Sequence, residues 1–134
     1  MNEKMIQLDN IVVRFGTFEA LHNINVTVGE GEFFTFLGPS GCGKTTTLRT
    51  ITGFIDPVSG SIRVKGQDIT HVPIEERNIG IVFQSYALFP TMTVYDNIAF
   101  GLKIKKPKKA EVDKRVREIA RKVDLSDEQL AKAV

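Results

Sequence analysis

A run of eight residues, with glycine, lysine and threonine at fixed spacing, carries the clearest chemistry of this chain. It reads Gly38, Pro39, Ser40, Gly41, Cys42, Gly43, Lys44 and Thr45. The run fits the phosphate-binding pattern G-x-x-x-x-G-K-[ST]. Its glycines let the backbone turn tightly and point successive N–H groups inward, which favours anionic oxygens at a helix N-terminus. The pattern therefore predicts a phosphate-binding loop, called here the phosphate loop (residues 38–45).

Lys44 and Thr45 at the end of this loop, and Thr46 directly after it, have separate predicted roles toward a nucleoside triphosphate. Lys44 can reach the β- and γ-phosphates as a point charge, and the hydroxyl of Thr45 can ligate Mg²⁺. The N–H of Thr46 adds a donor toward the α-phosphate. The competing interpretation is an ordinary glycine-rich turn followed by a surface lysine.

The flanking residues predict the elements that must position such a loop. Residues 33–37 are apolar and have strand character, and residues 45–51 can form a helix that ends at Gly53. Upstream, two alternating patterns predict antiparallel strands with one wet face. Their apolar positions are Ile11, Val13 and Phe15, then Ile24, Val26 and Val28.

Downstream, the pattern changes from mixed sheet to helices. A short strand is expected at residues 61–64, and a buried strand at residues 78–83 that ends at Gln84. In the next segment, residues 85–92, Pro90 excludes a central strand and a regular helix. Thr93 is a candidate N-cap for a helix through about Phe100. A second helix after Pro107 carries an apolar face of Val112, Val116, Ile119 and Val123.

Composition limits the protein classes. The 134 residues suit one modest domain, and 42% hydrophobic with 25% charged residues are globular values. Neither a secretory signal nor a membrane-spanning apolar run is evident, so we expect a soluble, intracellular protein. Cys42 is the only cysteine, which excludes an intramolecular disulfide and a cysteine-based metal cluster.

The charge of the chain is unevenly distributed. Net charge is −3 over residues 1–102 and +5 over residues 103–134. The basic cluster has no interleaved aromatic residues, which favours a solvated face over nucleic-acid binding. Its members are Lys103, Lys105, Lys106, Lys108 and Lys109.

Several motifs in order make the chain resemble the ATP-binding subunits of ABC transporters, importer type. The likeness covers nearly all 134 residues. It includes the phosphate loop and further residues on both sides. These are Phe15-Gly16, Ile51-Thr52-Gly53, Pro57, Ser59-Gly60-Ser61-Ile62, Gly80-Ile81-Val82-Phe83-Gln84, Leu88-Phe89-Pro90-Thr91-Met92-Thr93-Val94 and Asn97.

The resemblance implies an α/β fold: a phosphate-loop NTPase core with an antiparallel β subdomain, a parallel core and the start of a helical subdomain. Residues 1–92 would hold the β subdomain and nucleotide-binding core, and residues 93–134 the start of the helical subdomain. ATP and Mg²⁺ are the implied cofactors, with Phe15 stacking on adenine. Lys44 and Gln84 are the implied catalytic residues, and Thr45 and Gln84 the Mg²⁺ ligands. The alternative without a functional role is a core aromatic residue for Phe15 and a polar residue at a strand end for Gln84.

The same resemblance implies partners. The loop that begins at Ser85 and ends at Met92 is similar to the surface that receives a transmembrane permease, with a self-packed loop as the alternative. A second ATP-binding subunit, in a homodimer, would complete the ATP site. The protein would then be cytoplasmic and peripheral on the inner face of the cell membrane, and it would drive import of a solute that these residues do not identify.

The chain also departs from the family pattern. The signature Leu-Ser-Gly-Gly-Gln, the acidic strand end with its catalytic glutamate and the switch histidine are missing; Leu125-Ser126-Asp127-Glu128-Gln129 only imitates the signature. We therefore expect the N-terminal portion of a longer protein, with little ATPase activity on its own. The competing classes are a phosphate-loop kinase and a non-hydrolytic binding module.

Overall fold

A computed structural model of the chain describes residues 3–105 and 107–134, so Lys106 of the basic cluster lies outside the described residues. The chain divides into two compact units, Met1–Ile81 and Val82–Val134. Each unit has its own buried apolar cluster. The assignment of residues 1–92 and 93–134 to two subdomains stays a prediction.

The first unit is built on a four-stranded antiparallel sheet with the order β2-β1-β3-β4. Its strands are β1 (Lys4–Phe15), β2 (Phe18–Gly29), β3 (Ser59–Val64) and β4 (Gln67–Asp68). Strands β1 and β2 form a hairpin across a two-residue turn that begins with Gly16, at a φ of 59°. Glycine at this first position suits a type II′ hairpin turn. The predicted antiparallel pair is confirmed.

Strand β1 contains a bulge and buries three successive apolar side chains. Asn10 has a left-handed backbone (φ 51°), and the register with β2 shifts between Leu8 and Ile11. Ile11, Val12 and Val13 are all buried, and Ile11 and Val13 belong to the core cluster of this unit. Helix α1 (Lys44–Thr52) packs against this layer. The cluster comprises Leu8, Ile11, Val13, Leu21, Ile51, Ile62 and Ile69.

Two segments predicted as strands, residues 33–37 and 78–83, are not strands in the structure. Phe33 and Leu37 are 95% and 89% exposed, and Val82 is 90% exposed. A strand exists only through the hydrogen-bonded ladder with a neighbour. Within the described residues neither segment has one, so the predicted parallel core is absent from this part of the chain.

The described residues of the second unit form three helices, α2 (Val94–Ile104), α3 (Lys109–Lys122) and α4 (Asp127–Leu130). Thr93 caps α2 as predicted, because its hydroxyl accepts from the N–H of Asp96 at 3.1 Å. Helix α2 continues one turn beyond the predicted end at Phe100. The buried cluster of this unit comprises Ala99, Val112, Val116, Ala120 and Leu130.

The predicted apolar face of α3 is partly wrong. Val112 and Val116 are buried, but Ile119 is 44% exposed and Val123, which follows the helix, is 58% exposed. Ala120 is buried instead. The buried positions thus follow a single i, i+4, i+8 line, because α3 buries only a narrow stripe in this small unit.

The segment that imitates a signature has a local structural role. Ser126 caps α4: its hydroxyl accepts from the N–H of Gln129 at 3.2 Å, and the Gln129 side chain accepts from the N–H of Ser126 at 2.8 Å. This reciprocal pair is a capping box. The spacing of Ser126 and Gln129 is therefore explained by the N-terminal capping of α4.

Candidate phosphate-binding site

The glycines of the phosphate loop stand where other residues would be strained or would clash. Gly41 and Gly43 have left-handed backbones, with φ of 82° and 95°. A Cβ atom at Gly43 would lie 2.7 Å from Cδ2 of Leu21, and one at Gly38 would lie 2.6 Å from Sγ of Cys42. Glycine is therefore needed at Gly43 for both conformation and space.

The loop leads directly into the N-terminus of α1, which no side chain caps. The helical bonding begins where the N–H of Thr47 donates to the carbonyl of Gly43 at 2.8 Å. Within the described residues, the N–H groups of Lys44, Thr45 and Thr46 donate to no acceptor. Three donors at the positive end of a helix dipole form a place that suits an anion.

The ammonium group of Lys44 lies across the loop. Its Nζ donates to the carbonyl oxygens of Gly38 at 2.6 Å and Pro39 at 2.7 Å, and it lies 3.3 Å from Sγ of Cys42. Neutral carbonyls are weaker partners for an ammonium than phosphate oxygens are. The cation is therefore held at the loop by contacts that an arriving phosphate can replace.

The remaining loop residues are accessible. Pro39, Ser40, Gly41, Cys42 and Thr45 are exposed. The Thr45 hydroxyl has no hydrogen-bond partner among the described residues, so it is free to ligate a cation beside bound phosphates. The chemistry of this donor set fits a Mg²⁺–triphosphate: N–H donors and a lysine for the phosphates, and an oxygen ligand for the metal.

The opposite end of α1 is held by a residue that sequence reasoning missed. Arg77 is 6% exposed, and its guanidinium donates to four backbone carbonyls. Two of these, Thr50 and Ile51, belong to the last turn of α1, at 3.1 and 3.0 Å. Burial lowers the pKa of Arg77. No sequence pattern marks this role, because backbone carbonyls accept regardless of their side chains.

Phe15 lies at the end of β1, beside the hairpin turn, and is 51% exposed. It pairs in register with Phe18, which is 66% exposed. An exposed ring of this kind is available to stack on a flat ligand. Its exposure argues against a purely core position, and its role toward a base stays a prediction.

Gln84 belongs to the second unit, and its side chain is exposed. After it, Tyr86 and Ala87 have left-handed backbones, and Tyr86 is 77% exposed. The loop is tied to α2 through Asn97, whose side chain accepts from the N–H of Phe89 at 2.8 Å and donates to its carbonyl at 3.1 Å. The end of the loop is therefore anchored, while its aromatic tip faces solvent.

Among the described residues, no helix has both the length and the apolar character that crossing a membrane requires.

Comparison with known proteins gives a consistent result. The sequence profile of the ABC transporter family matches residues 21–133. The spermidine/putrescine import ATP-binding protein PotA of Nitrosomonas eutropha is 54% identical over 122 residues, which is 91% of this chain and 34% of that protein. Its counterpart in Pseudomonas aeruginosa is 50% identical over 127 residues, covering 95% of this chain and 35% of that protein. The chain thus spans about a third of the length of these relatives.

Solved structures of ABC proteins are also similar to this chain. The ATP-binding cassette MJ0796, in a dimeric post-hydrolysis state bound to ADP and Pi, superposes with a TM-score of 0.83 at 28% identity. The match covers 96% of this chain and 61% of that one. A bacterial Atm1-family ABC exporter with ATP bound gives a TM-score of 0.79 at 33% identity, covering 100% of this chain and 24% of that one.

Proposed function

The chain belongs to the ABC transporter family, and we propose that it supplies the phosphate- and base-binding part of an ATPase that drives solute import in the whole protein. One observation carries this proposal: three N–H groups without acceptors at the start of α1, with the Lys44 ammonium held beside them. The similarity to import ATP-binding proteins and to nucleotide-bound cassettes supports it.

Binding follows from an exchange of partners at the loop. Lys44 gives up two neutral carbonyls and pairs with the β- and γ-phosphates, which makes stronger, charge-assisted hydrogen bonds. The N–H groups of α1 donate to phosphate oxygens without rearrangement, because they are already unpaired. Phe15 stacks on adenine, and residues 38–46 surround the phosphates.

In this proposal Thr45 would hold Mg²⁺, and Gln84 would be a second ligand in the whole protein, as the resemblance to the family implies. The metal would supply neutralisation of phosphate charge during transfer of the terminal phosphoryl group to water. The neutral amide of Gln84 both donates and accepts, so it can orient the attacking water without acting as a base. Lys44 and the loop N–H groups stabilise the charge that develops on the transferred group.

The proposal is tested by nucleotide binding to the 134-residue chain. We expect binding of Mg-ADP and Mg-ATP by calorimetry, and little hydrolysis, because the chain supplies the phosphate contacts but no general base. Lys44→Ala should weaken binding by at least about tenfold, since one charge-assisted hydrogen bond contributes roughly 1.5–3 kcal/mol.

Lys114→Ala is the matched control, since Lys114 is exposed on α3 and has no ion pair among the described residues. Equal loss in both variants, or a wild-type chain that binds neither nucleotide, contradicts the proposal. Multiple turnover by the purified chain that Lys44→Ala abolishes contradicts the expectation of low activity.

For the partner, we propose that residues 85–92 contact a transmembrane permease and that a second copy completes the ATP site. Support comes from the exposed apolar residues of the loop, Tyr86 and Leu88, at 77% and 53% exposure. In the whole protein with Cys42→Ala, a cysteine at either position should crosslink to cytoplasmic segments of the permease in a nucleotide-dependent way. If both fail while control crosslinks form, the loop has no such role.

The names of the relatives support a polyamine as the transported solute. Disruption of the gene for the whole protein should then abolish uptake of radiolabelled putrescine or spermidine. Unchanged uptake of both would remove the polyamine assignment and leave the ATPase assignment intact.

A further inference from the structure

Arg77 joins two backbone segments of the first unit, residues 50–51 and residues 70–72, through one buried guanidinium. Nε donates to the carbonyl of Val72 at 2.7 Å, and Nη2 donates to that of Thr70 at 3.0 Å. Nη1 donates to Thr50 and Ile51, at the end of α1. All three guanidinium nitrogens are thus engaged, and the last turn of α1 is connected to residues 70–72.

The end of α1 is shaped to receive this group. Gly53 follows the helix with a left-handed backbone (φ 93°). A Cβ atom there would lie 2.8 Å from Nε of Arg77 and 3.1 Å from Cγ1 of Ile74. The guanidinium therefore fits against a helix end that only glycine leaves open. Its positive charge also complements the carbonyl end of the helix dipole.

The two ends of α1 are mechanically linked. The helix has nine residues, so its ends lie about 13 Å apart at roughly 1.5 Å per residue. A rotation of about 5° about the C-terminal end moves the N-terminal N–H groups by roughly 1 Å, a displacement large enough to weaken oriented contacts. A tilt of α1 about its C-terminal end would therefore displace the N–H groups at the phosphate loop.

We propose that Arg77 is a positioning residue for nucleotide binding: it anchors the C-terminal end of α1 so that the N–H groups at the other end stay aimed at the phosphates. The inference rests on the proposed nucleotide binding and assigns a role to a residue that touches no nucleotide. Arginine is required because its planar fork serves carbonyls from separate segments, whereas the single ammonium of lysine cannot reach all four.

The test compares Arg77→Met, Arg77→Lys and the control Arg49→Met in the 134-residue chain. Arg49 lies in the last turn of the same helix, its side chain is exposed, and it makes no ion pair in the described residues. Affinity for Mg-ADP is measured at a temperature where circular dichroism shows each variant fully folded. We expect Arg77→Met to weaken binding by about five- to tenfold, Arg77→Lys to restore part of the loss, and Arg49→Met to bind like wild type.

A purely structural role predicts a lower unfolding temperature with unchanged affinity in the folded variants, and that result overturns the proposal. If the wild-type chain binds no nucleotide, or Lys44→Ala binds as well as wild type, the failure belongs to the proposed function instead.

A second measurement uses the wild-type chain alone, so it does not depend on the variants folding. Linkage is reciprocal: if anchorage by Arg77 favours binding, binding must favour anchorage. Saturating Mg-ADP should therefore slow hydrogen exchange of the Arg77 Nε–H, which donates to Val72, by a factor similar to the loss in affinity. Unchanged exchange at this group, with binding confirmed in the same sample, overturns the proposal.

Discussion

Replacing Gly43 by alanine should destabilise the first unit more than the same change at Gly41, two residues earlier in the loop. Both glycines have left-handed backbones, so each alanine costs about 1–2 kcal/mol of conformational energy. Only at Gly43 does the new Cβ meet a neighbour, Cδ2 of Leu21 at 2.7 Å, whereas nothing lies within 4 Å at Gly41.

The size of the difference follows from the neighbour. Leu21 is 2% exposed and belongs to the core cluster of the sheet, so it can move only by disturbing that cluster. Overpacking of a core typically costs about 1–3 kcal/mol. We therefore expect Gly43→Ala to lose about 2–5 kcal/mol and Gly41→Ala about 1–2 kcal/mol of unfolding free energy.

Urea unfolding of the two variants and the wild type measures this difference directly. Against a typical total of about 5–15 kcal/mol, the loss at Gly43 is large enough to shift the unfolding midpoint clearly. If the slope of unfolding free energy against urea concentration is unchanged, the variants expose the same surface on unfolding as the wild type, and the midpoints can be compared directly. Equal midpoints for Gly43→Ala and Gly41→Ala would refute the argument, because the contact with Leu21 would then cost nothing.

Two further predictions concern the stacking of Phe15 on adenine and the stability of the first unit at acidic pH. Phe15→Ala should weaken ATP binding several-fold, since stacking contributes about 1 kcal/mol, whereas the control Phe18→Ala should bind ATP like wild type. Neither change should alter the binding of pyrophosphate, which has no base. If Phe15→Ala binds ATP as tightly as wild type, Phe15 has no stacking role. Hydrogen bonds from the Thr70 hydroxyl and N–H lower the pKa of Asp68 below its ordinary 3.8. Its stabilisation is therefore present above that value and lost as the pH falls through the folded pKa, so Asp68→Asn should flatten the acid limb of stability measured by urea unfolding; an unchanged limb contradicts this.

The features predicted correctly from the sequence are those with local causes. The phosphate loop leads into a helix that starts at Lys44 and stops before Gly53, because glycine spacing and helix termination are determined by neighbouring residues. The hairpin is equally local, with a two-residue turn joining β1 and β2. The cap of α2 at Thr93 needs only the residue three positions later.

The features predicted wrongly depend on distant partners. Residues 33–37 have the composition of a buried strand, yet strand formation needs a neighbouring strand that composition does not specify. The buried face of α3 depends on the residues that pack against the helix. Ala120 is therefore buried where the sequence pattern predicted Ile119. The predicted roles of Phe15, Lys44, Thr45 and Gln84 toward a nucleotide stay predictions.

The conformation of the phosphate loop depends on the core as much as on its own sequence. Glycines with nearly equal left-handed angles, φ of 95° at Gly43 and 93° at Gly53, flank α1. Each faces a buried side chain, Leu21 at the first and Arg77 at the second. The motif therefore shows where the backbone must be free of a Cβ but not which residues press on it. Because Leu21 lies on β2, before the loop, and Arg77 lies after α1, the two glycines that flank α1 are faced by residues on both sides of the loop in the sequence.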